Sequence, residues 1–302
     1  MNYQLFVSTI NQQLSEQLGP QLNTNIHTAL KNNGKERTGI TISEHDTNIS
    51  PTIYLEEFYV QYCNGRKITE IVNSLVQLYQ EVRFKNSWEV EQIHDYNRAK
   101  SKIVYKLIHR EDNAALLKDI PFIPYLDLAI VFYLILETTE KGTATILITN
   151  ELQQFWGVSL EELYSTASQN SPLILTVDFK PMRVIIHELL GKVCTDEDMA
   201  ENRMFVLSNQ YRHFGAACIL YNRVLEDIGN QLNENFYILP SSIHEVIILP
   251  EGFSPCEEDL NEMIIDINQT QVSEEEILSN HAYYYDRTER KLTQKLMSKP
   301  IS

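Results

Sequence analysis

Lysine and arginine are missing from a long C-terminal stretch of this 302-residue chain. No lysine or arginine occurs between Arg223 and Arg287, and the same stretch holds fourteen aspartates and glutamates. Because the whole chain has 41 acidic and 25 basic residues, a net charge of −16, the remainder is nearly balanced. This pattern argues against direct binding to nucleic acid or to an anionic membrane, since both need clustered positive charge. It favours either simple solubility or a protein partner with a basic surface.

Long apolar runs and paired cysteines are also missing. The longest apolar run, Leu126–Leu136, contains Asp127 and is shorter than the roughly 20 residues that cross a bilayer. Residues Met1–Val7 lack the basic start and sustained apolar core of a secretion signal. We therefore expect a soluble, cytoplasmic protein of bacterial type. The cysteines include no C-x-x-C pair and are expected to be free thiols: Cys63, Cys194, Cys218 and Cys256.

Four common catalytic or cofactor motifs cannot be assembled. No two glycines lie closer than five residues, which excludes the G-x-G core of a dinucleotide-binding loop, and G-K-[ST] is absent. His187-Glu188 begins like the zinc motif H-E-x-x-H, but Gly191 occupies the place of the second histidine. No G-x-S-x-G elbow occurs. The sequence therefore predicts no cofactor and no metal site, and it does not favour an enzyme.

The apolar patterns that are present alternate between helix and strand periods. An amphipathic N-terminal helix stops at Gly19-Pro20, and residues 32–35 predict a hairpin turn. Strands are predicted over Ile103–Ile108, Leu126–Leu136 and, near the end, Ile243–Leu249. This order favours an α+β fold, a mixed sheet with flanking short helices and an N-terminal helix plus hairpin subdomain. Weakly patterned residues 88–96 suggest a subdomain of residues 1–86 before a main domain of residues 87–302, although one continuous domain fits as well.

The segment Glu151–Ser168 has the appearance of a helix-turn-helix. However, no lysine or arginine occurs from Thr143 to Phe179, so the second helix would be repelled by DNA phosphates. Ser159 followed by Glu162 is better interpreted as a capping box that begins a packing helix.

Ser242 and His244 are weak candidates for a nucleophile and its base. On the predicted strand they share one face, whereas Glu245 points to the other, so a third polar group would have to come from elsewhere. Two interpretations stay open. One is a histidine that makes a hydrogen bond at a sheet edge, and the other is a hydrolase or transferase site near Pro240–Glu245. The enzyme hypothesis requires a concave pocket with a converging group such as His213 or Glu188.

The acidic stretch contains two helix-start patterns, Ser254 with Glu257 and Ser273 with Glu276. From the first, an amphipathic helix is predicted with its acids opposite Leu260 and Ile264. Four acids on or next to this helix are the predicted contact residues for a basic partner: Glu257, Glu258, Glu262 and Asp266. A sharper alternative is a DNA mimic that occupies a nucleic-acid-binding defence protein, which would need an unbroken acidic ridge.

Several segments together resemble a family of uncharacterised proteins from Gram-positive gut bacteria that are often encoded on integrative conjugative elements. Phe236–Glu251 is the most specific of them. The family has no assigned activity, so the resemblance implies no catalytic residue. It implies a bacterial cytoplasmic setting and a connection with mobile elements. The leading hypothesis is a non-enzymatic interaction or accessory protein. The other segments that carry the resemblance are Ser50–Gly65, Lys102–Asp112, Ile120–Leu136, Ala144–Pro172 and Phe214–Tyr221.

Overall fold

A computed structural model describes residues 1–44, 50–82, 90–139, 142–191, 204–253 and 257–294. The chain divides into two compact units, Met1–Ala99 and Lys100–Ser302. The boundary predicted between residues 86 and 87 lies outside the described residues.

The first unit is a three-stranded antiparallel sheet with helices. The strands follow the order β1-β2-β3, and α1 and α3 close over the sheet with a shared core. The predicted turn is confirmed, because Asn33 and Gly34 take left-handed conformations that close the β1–β2 hairpin. The elements are α1 (Tyr3–Leu18), β1 (Leu22–Leu30), β2 (Glu36–Glu44), β3 (Thr52–Tyr54), α2 (Glu56–Cys63), α3 (Ile68–Val82), α4 (Val90–His94) and α5 (Tyr96–Ala99).

The second unit begins with a four-stranded antiparallel sheet. The long strand β6 pairs with β4 along one side and with β5 and then β7 along the other. Helix α7 packs on β4, and the Ser171 hydroxyl accepts the Tyr105 N–H at 3.3 Å. The Ser159 hydroxyl accepts the Glu162 N–H at 3.1 Å, which confirms the predicted helix start. The elements are β4 (Ile103–His109), β5 (Phe122–Tyr125), β6 (Leu128–Thr139), β7 (Gly142–Leu147), α6 (Asn150–Trp156) and α7 (Leu160–Ile174).

A six-stranded antiparallel sheet completes the second unit, in the order β13-β12-β10-β11-β9-β8. Leu260 and Ile264 of α10 are buried against Tyr237 and Leu249 of this sheet. The elements are β8 (Val177–Pro181), α8 (Met182–Leu189), β9 (Phe205–Asn209), α9 (Val224–Leu232), β10 (Phe236–Leu239), β11 (Val246–Pro250), α10 (Glu257–Thr270), β12 (Tyr283–Asp286) and β13 (Lys291–Gln294).

The α+β class and the N-terminal helix are confirmed. Within the described part of the chain, no helix is both long and apolar enough to cross a membrane.

Two local predictions are wrong. The last predicted strand begins at Val246 rather than at Ile243, so residues 241–245 form a loop and the argument about alternating faces does not apply there. No helix begins at Glu274, because residues 274–276 form only a single turn, in which the Glu276 N–H donates to the Ser273 carbonyl at 2.8 Å.

Candidate functional site

Two histidines from separate loops of the second unit lie side by side. His213 follows β9, and His244 lies in the loop between β10 and β11; their ring centres are 5.5 Å apart. Phe214 contacts both rings, with its centre 3.9 Å from that of His213 and 5.7 Å from that of His244. The Lys106 ammonium of β4 lies 4.2 Å from the centre of the Phe214 ring. We call His213, Phe214, His244 and Lys106 the histidine cluster.

The loop that carries His213 is held by a buried asparagine. Asn209 is fully buried at the end of β9, and its side-chain oxygen accepts the N–H groups of Tyr211 at 3.0 Å and His213 at 3.4 Å. Its amide nitrogen donates to the His213 carbonyl at 2.8 Å. Because these bonds satisfy the loop backbone internally, the loop has a defined shape although it is not a helix or a strand.

The loop of residues 240–245 packs directly on the same framework. The Ser208 hydroxyl donates to the His244 carbonyl at 2.7 Å. A methyl group at Gly215 would clash with that hydroxyl, with the same carbonyl oxygen at 2.6 Å and with the backbone nitrogen of Asn209 at 2.7 Å. Glycine is therefore required sterically at position 215.

The His244 ring has a defined orientation. Its Nδ1 accepts the Phe214 N–H at 3.2 Å, and its Nε2 lies 3.5 Å from a carboxylate oxygen of Glu276. An accepting Nδ1 carries no proton, so this bond selects the neutral tautomer that is protonated on Nε2. Burial lowers the pKa of His244; Glu276 opposes this shift, and the charge of Lys106 adds to it.

The Ser242 hydroxyl bonds to the backbone of His244 and not to its imidazole. It accepts the His244 backbone N–H at 3.1 Å. Among the described residues, no hydrogen bond joins that hydroxyl to the His244 ring, whose two nitrogens face Phe214 and Glu276. The geometry therefore brings the two candidate residues into one loop without pairing them as nucleophile and base.

Of the two groups named as a converging third member, one lies at the cluster. His213 is half-buried, and neither of its ring nitrogens makes a hydrogen bond with any described residue. Burial, with added repulsion from His244 and Lys106, lowers the pKa of His213 to about 4. Glu188 instead forms ion pairs with Arg212 at 3.1 Å and with Lys180 at 3.2 Å. The local sequence around His213 gives no sign that its ring would approach His244, because His244 and Lys106 come from distant segments of the chain.

Glu245, the third residue of the sequence motif, is also half-buried. Burial raises the pKa of its carboxyl group, and the positive charge of Arg212 acts in the opposite direction.

Helix α10 presents the predicted acidic face. Glu262 and Asp266 are exposed, as is Asp259 one turn earlier, while Leu260 and Ile264 on the opposite side are buried. The side chains of Glu257 and Glu258 lie outside the described residues. In the part of the chain that the structure describes, no lysine, arginine or histidine forms an ion pair with Asp259, Glu262 or Asp266. We call these three residues the acidic face.

Five other acids of the C-terminal stretch have local partners. Glu226 pairs with Arg290 at 2.9 Å, Glu276 faces His244, and Asp286 accepts two N–H groups of the β12–β13 turn. Glu234 accepts the Gly252 N–H, and Glu251 accepts the Tyr284 hydroxyl. These five acids have roles in the fold, whereas the acidic face is a group of exposed acids on one helix that makes no ion pair with a described residue.

A second polar cluster, not anticipated from the sequence, surrounds Asp127 at the tip of the β5–β6 hairpin. The Tyr283 and Ser279 hydroxyls donate to its carboxylate at 2.6 and 2.5 Å. His109 lies between this carboxylate, at 3.9 Å, and that of Asp112, at 2.7 Å. Across the described ranges, no group of three or more histidine, cysteine, aspartate or glutamate side chains is arranged to hold a metal ion.

Comparison with known proteins places the chain in a family without giving it an activity. Residues 3–287 match the family described as "Family of unknown function (DUF5688)", and the chain belongs to that family. No curated protein and no solved structure matches it.

Proposed function

We propose that this member of the DUF5688 family is a non-enzymatic interaction protein whose acidic face binds a protein partner with a basic surface. The observation that supports the proposal is the acidic face itself, three exposed carboxylates on a helix that is anchored by Leu260 and Ile264. A rigid helix presents charges in a fixed pattern, which favours selection of a complementary partner and faster encounter. By extension from the family resemblance, we place this role in the bacterial cytoplasm and connect it with mobile elements.

The test is capture of partners from a nuclease-treated bacterial lysate by the immobilised chain, at about 0.05 M and about 0.5 M salt. The test variant combines Glu262→Gln with Asp266→Asn. The matched control combines Glu111→Gln with Glu151→Gln, which removes the same charge from exposed positions of the same unit. Treatment with nuclease removes proteins that are bridged by nucleic acid.

We expect a basic protein that is bound at low salt, released at high salt, and retained by the control. Exposed ion pairs contribute about 0.2–1 kcal/mol each, so loss of two carboxylates should weaken binding by about 2- to 30-fold. Equal capture by both variants would contradict the proposal, as would binding that is insensitive to salt.

The two alternatives receive less support from the geometry. A hydrolase or transferase near Pro240–Glu245 needs an activated nucleophile, whereas the Ser242 hydroxyl is bonded to the backbone. A DNA mimic needs a continuous ridge of charge at about one per 1.7 Å, whereas the acidic face has three carboxylates, and Glu226, Glu276 and Asp286 of the same stretch are engaged in ion pairs or in a turn. Duplex DNA added as a competitor in the capture experiment distinguishes the mimic, because it would displace a DNA-binding partner.

A further inference from the structure

The loop that carries His213 adopts a costly backbone conformation. Arg212 and Phe214, on either side of His213, have φ angles of 49° and 56°. The left-handed region costs a residue with a side chain roughly 1–2 kcal/mol, and such strain tends to concentrate at functional sites. Asn209 and the His244 ring maintain the strained conformation through their bonds to the backbone of Tyr211, His213 and Phe214.

These hydrogen bonds hold the imidazole of His213 in a fixed position. Both the N–H and the carbonyl of His213 are bonded to Asn209, and its ring lies against Phe214. The ring nitrogens have no hydrogen-bond partner among the described residues, and neither of them is a fully buried atom. The half-buried ring therefore has two nitrogens that are not completely enclosed and that make no hydrogen bond with a described residue.

The charges around His213 indicate the kind of ligand. Lys106 is close enough to act on both imidazoles, and it disfavours a positive charge on either. Two nearby carboxylates have partners, since Glu276 faces His244 Nε2 and Glu188 pairs with Arg212. The carboxyl group of Glu245 feels the positive charge of Arg212, and burial raises its pKa. A bound anion beside His213 would be attracted by Lys106 and would accept a hydrogen bond from the imidazole.

We propose that the histidine cluster binds the oxyanion, phosphate or carboxylate, of a small ligand, with His213 as the hydrogen-bond donor and Lys106 as the source of positive charge. The site shares no residue with the acidic face, so its test does not depend on whether the proposed partner binding is correct.

Binding at this site should be linked to proton uptake. The pKa of His213 is about 4 in the free protein, so the ring is neutral at pH 7. A bound oxyanion stabilises the imidazolium and raises the pKa, and affinity therefore increases as the pH falls from neutral towards that of the free imidazole. The charged or titratable groups that enter this balance are Lys106, His244, Glu276, Glu245 and Arg212.

The experiment follows the imidazole resonances of the ¹⁵N-labelled full chain, with His213 assigned by the variant His213→Gln. Sulfate represents a tetrahedral oxyanion whose charge does not change with pH, and acetate represents a carboxylate; chloride at equal ionic strength is the reference. Sulfate is titrated at about pH 7 and about pH 5, and acetate at about pH 7. Lys106→Gln is the test variant, and Lys118→Gln, an exposed lysine of the same unit, is its control.

We expect a saturable shift of the His213 resonance with one or both oxyanions, and sulfate binding about tenfold tighter at the lower pH. The effect should persist in Lys118→Gln and disappear in Lys106→Gln. If Lys106→Gln does not fold, loss of the sulfate-dependent rise in melting temperature in His213→Gln replaces that comparison. A response no larger than that to chloride, or an equal loss in both lysine variants, would overturn the proposal. A response to sulfate alone identifies a phosphate-like ligand, and a response to acetate alone identifies a carboxylate.

Discussion

Gly215 shows at the scale of one residue how closely the framework of the histidine cluster is packed. Two of the three atoms nearest to an added Cβ are backbone atoms, the His244 carbonyl oxygen and the Asn209 nitrogen. Backbone that is fixed by strand pairing and by buried hydrogen bonds cannot move aside at low cost. Gly215→Ala should therefore destabilise the protein by about 1–3 kcal/mol, measured as a lower urea midpoint.

Gly252→Ala is the matched control for this prediction. The nearest atom to an added Cβ there is the end of the Glu234 side chain, at 3.2 Å, and that side chain is flexible. We expect a much smaller change in the urea midpoint. Equal losses of stability in the two variants would show that close packing at Gly215 is not the cause.

Residue-level prediction from the sequence succeeded where the cause is local and failed where it is not. Ser159 caps α7 through an N–H three residues away, which the sequence pattern expresses directly. The faces of Ser242 and His244 were predicted wrongly because the loop is fixed by Ser208 and Phe214, which are distant in sequence. The convergence of His213 on His244 depends on the same long-range contacts.

At the scale of elements, Asp127 links two parts of the second unit. It lies in the turn between β5 and β6, and the Tyr283 hydroxyl that donates to it belongs to β12 of the other sheet. Burial, together with the charge of Asp127, raises the pKa of Tyr283 well above its ordinary value, so the hydroxyl stays a donor. This bond therefore ties the tip of one sheet to β12, the strand next to one edge of the other sheet.

A double-mutant cycle tests this link. Asp127→Asn and Tyr283→Phe should each lower the free energy of unfolding by about 1.5–3 kcal/mol, because each removes a hydrogen bond to a charged group. Combined, they should show a coupling energy of about 0.5–3 kcal/mol by denaturant titration. Asp127→Asn with Tyr285→Phe is the control pair, since Tyr285 stacks on Phe236 instead, and its effects should add. Additive effects in both pairs would contradict the link.

The helix predicted from Glu274 is absent because of contacts between elements. Its start pattern, Ser273 with Glu276, is present, but residues 277–282 have no regular secondary structure and are held by hydrogen bonds to α10. Asn268 donates to the Ser279 carbonyl at 2.9 Å, and the Asn261 side chain accepts the Ala282 N–H at 2.8 Å. These tertiary bonds are worth more than a local preference for helix. The amphipathic pattern of α10 itself predicted its buried side correctly, because that pattern reflects the packing directly.

At the scale of the whole molecule, the order of the predicted elements indicated the class of fold, and a weakly patterned stretch suggested a division into two parts or one continuous domain. The matched family covers residues 3–287 and therefore both compact units. Nevertheless, the first unit has a hydrophobic core of its own, in which Phe6, Ile10 and Leu14 of α1 are buried with Ile40 of β2 and Leu75 of α3. A chain of about this length can bury enough apolar surface to fold alone.

We therefore predict that a fragment of residues Met1–Ala99 folds independently. Far-ultraviolet circular dichroism should show helix and strand, and urea should unfold the fragment in one cooperative transition. Leu75 is fully buried in this core, so Leu75→Ala should cost about 2–5 kcal/mol and shift the midpoint sharply. Val60→Ala, at an exposed apolar position of α2, should change the midpoint little. A broad transition that Leu75→Ala leaves unchanged would show that the first unit depends on the second for its fold.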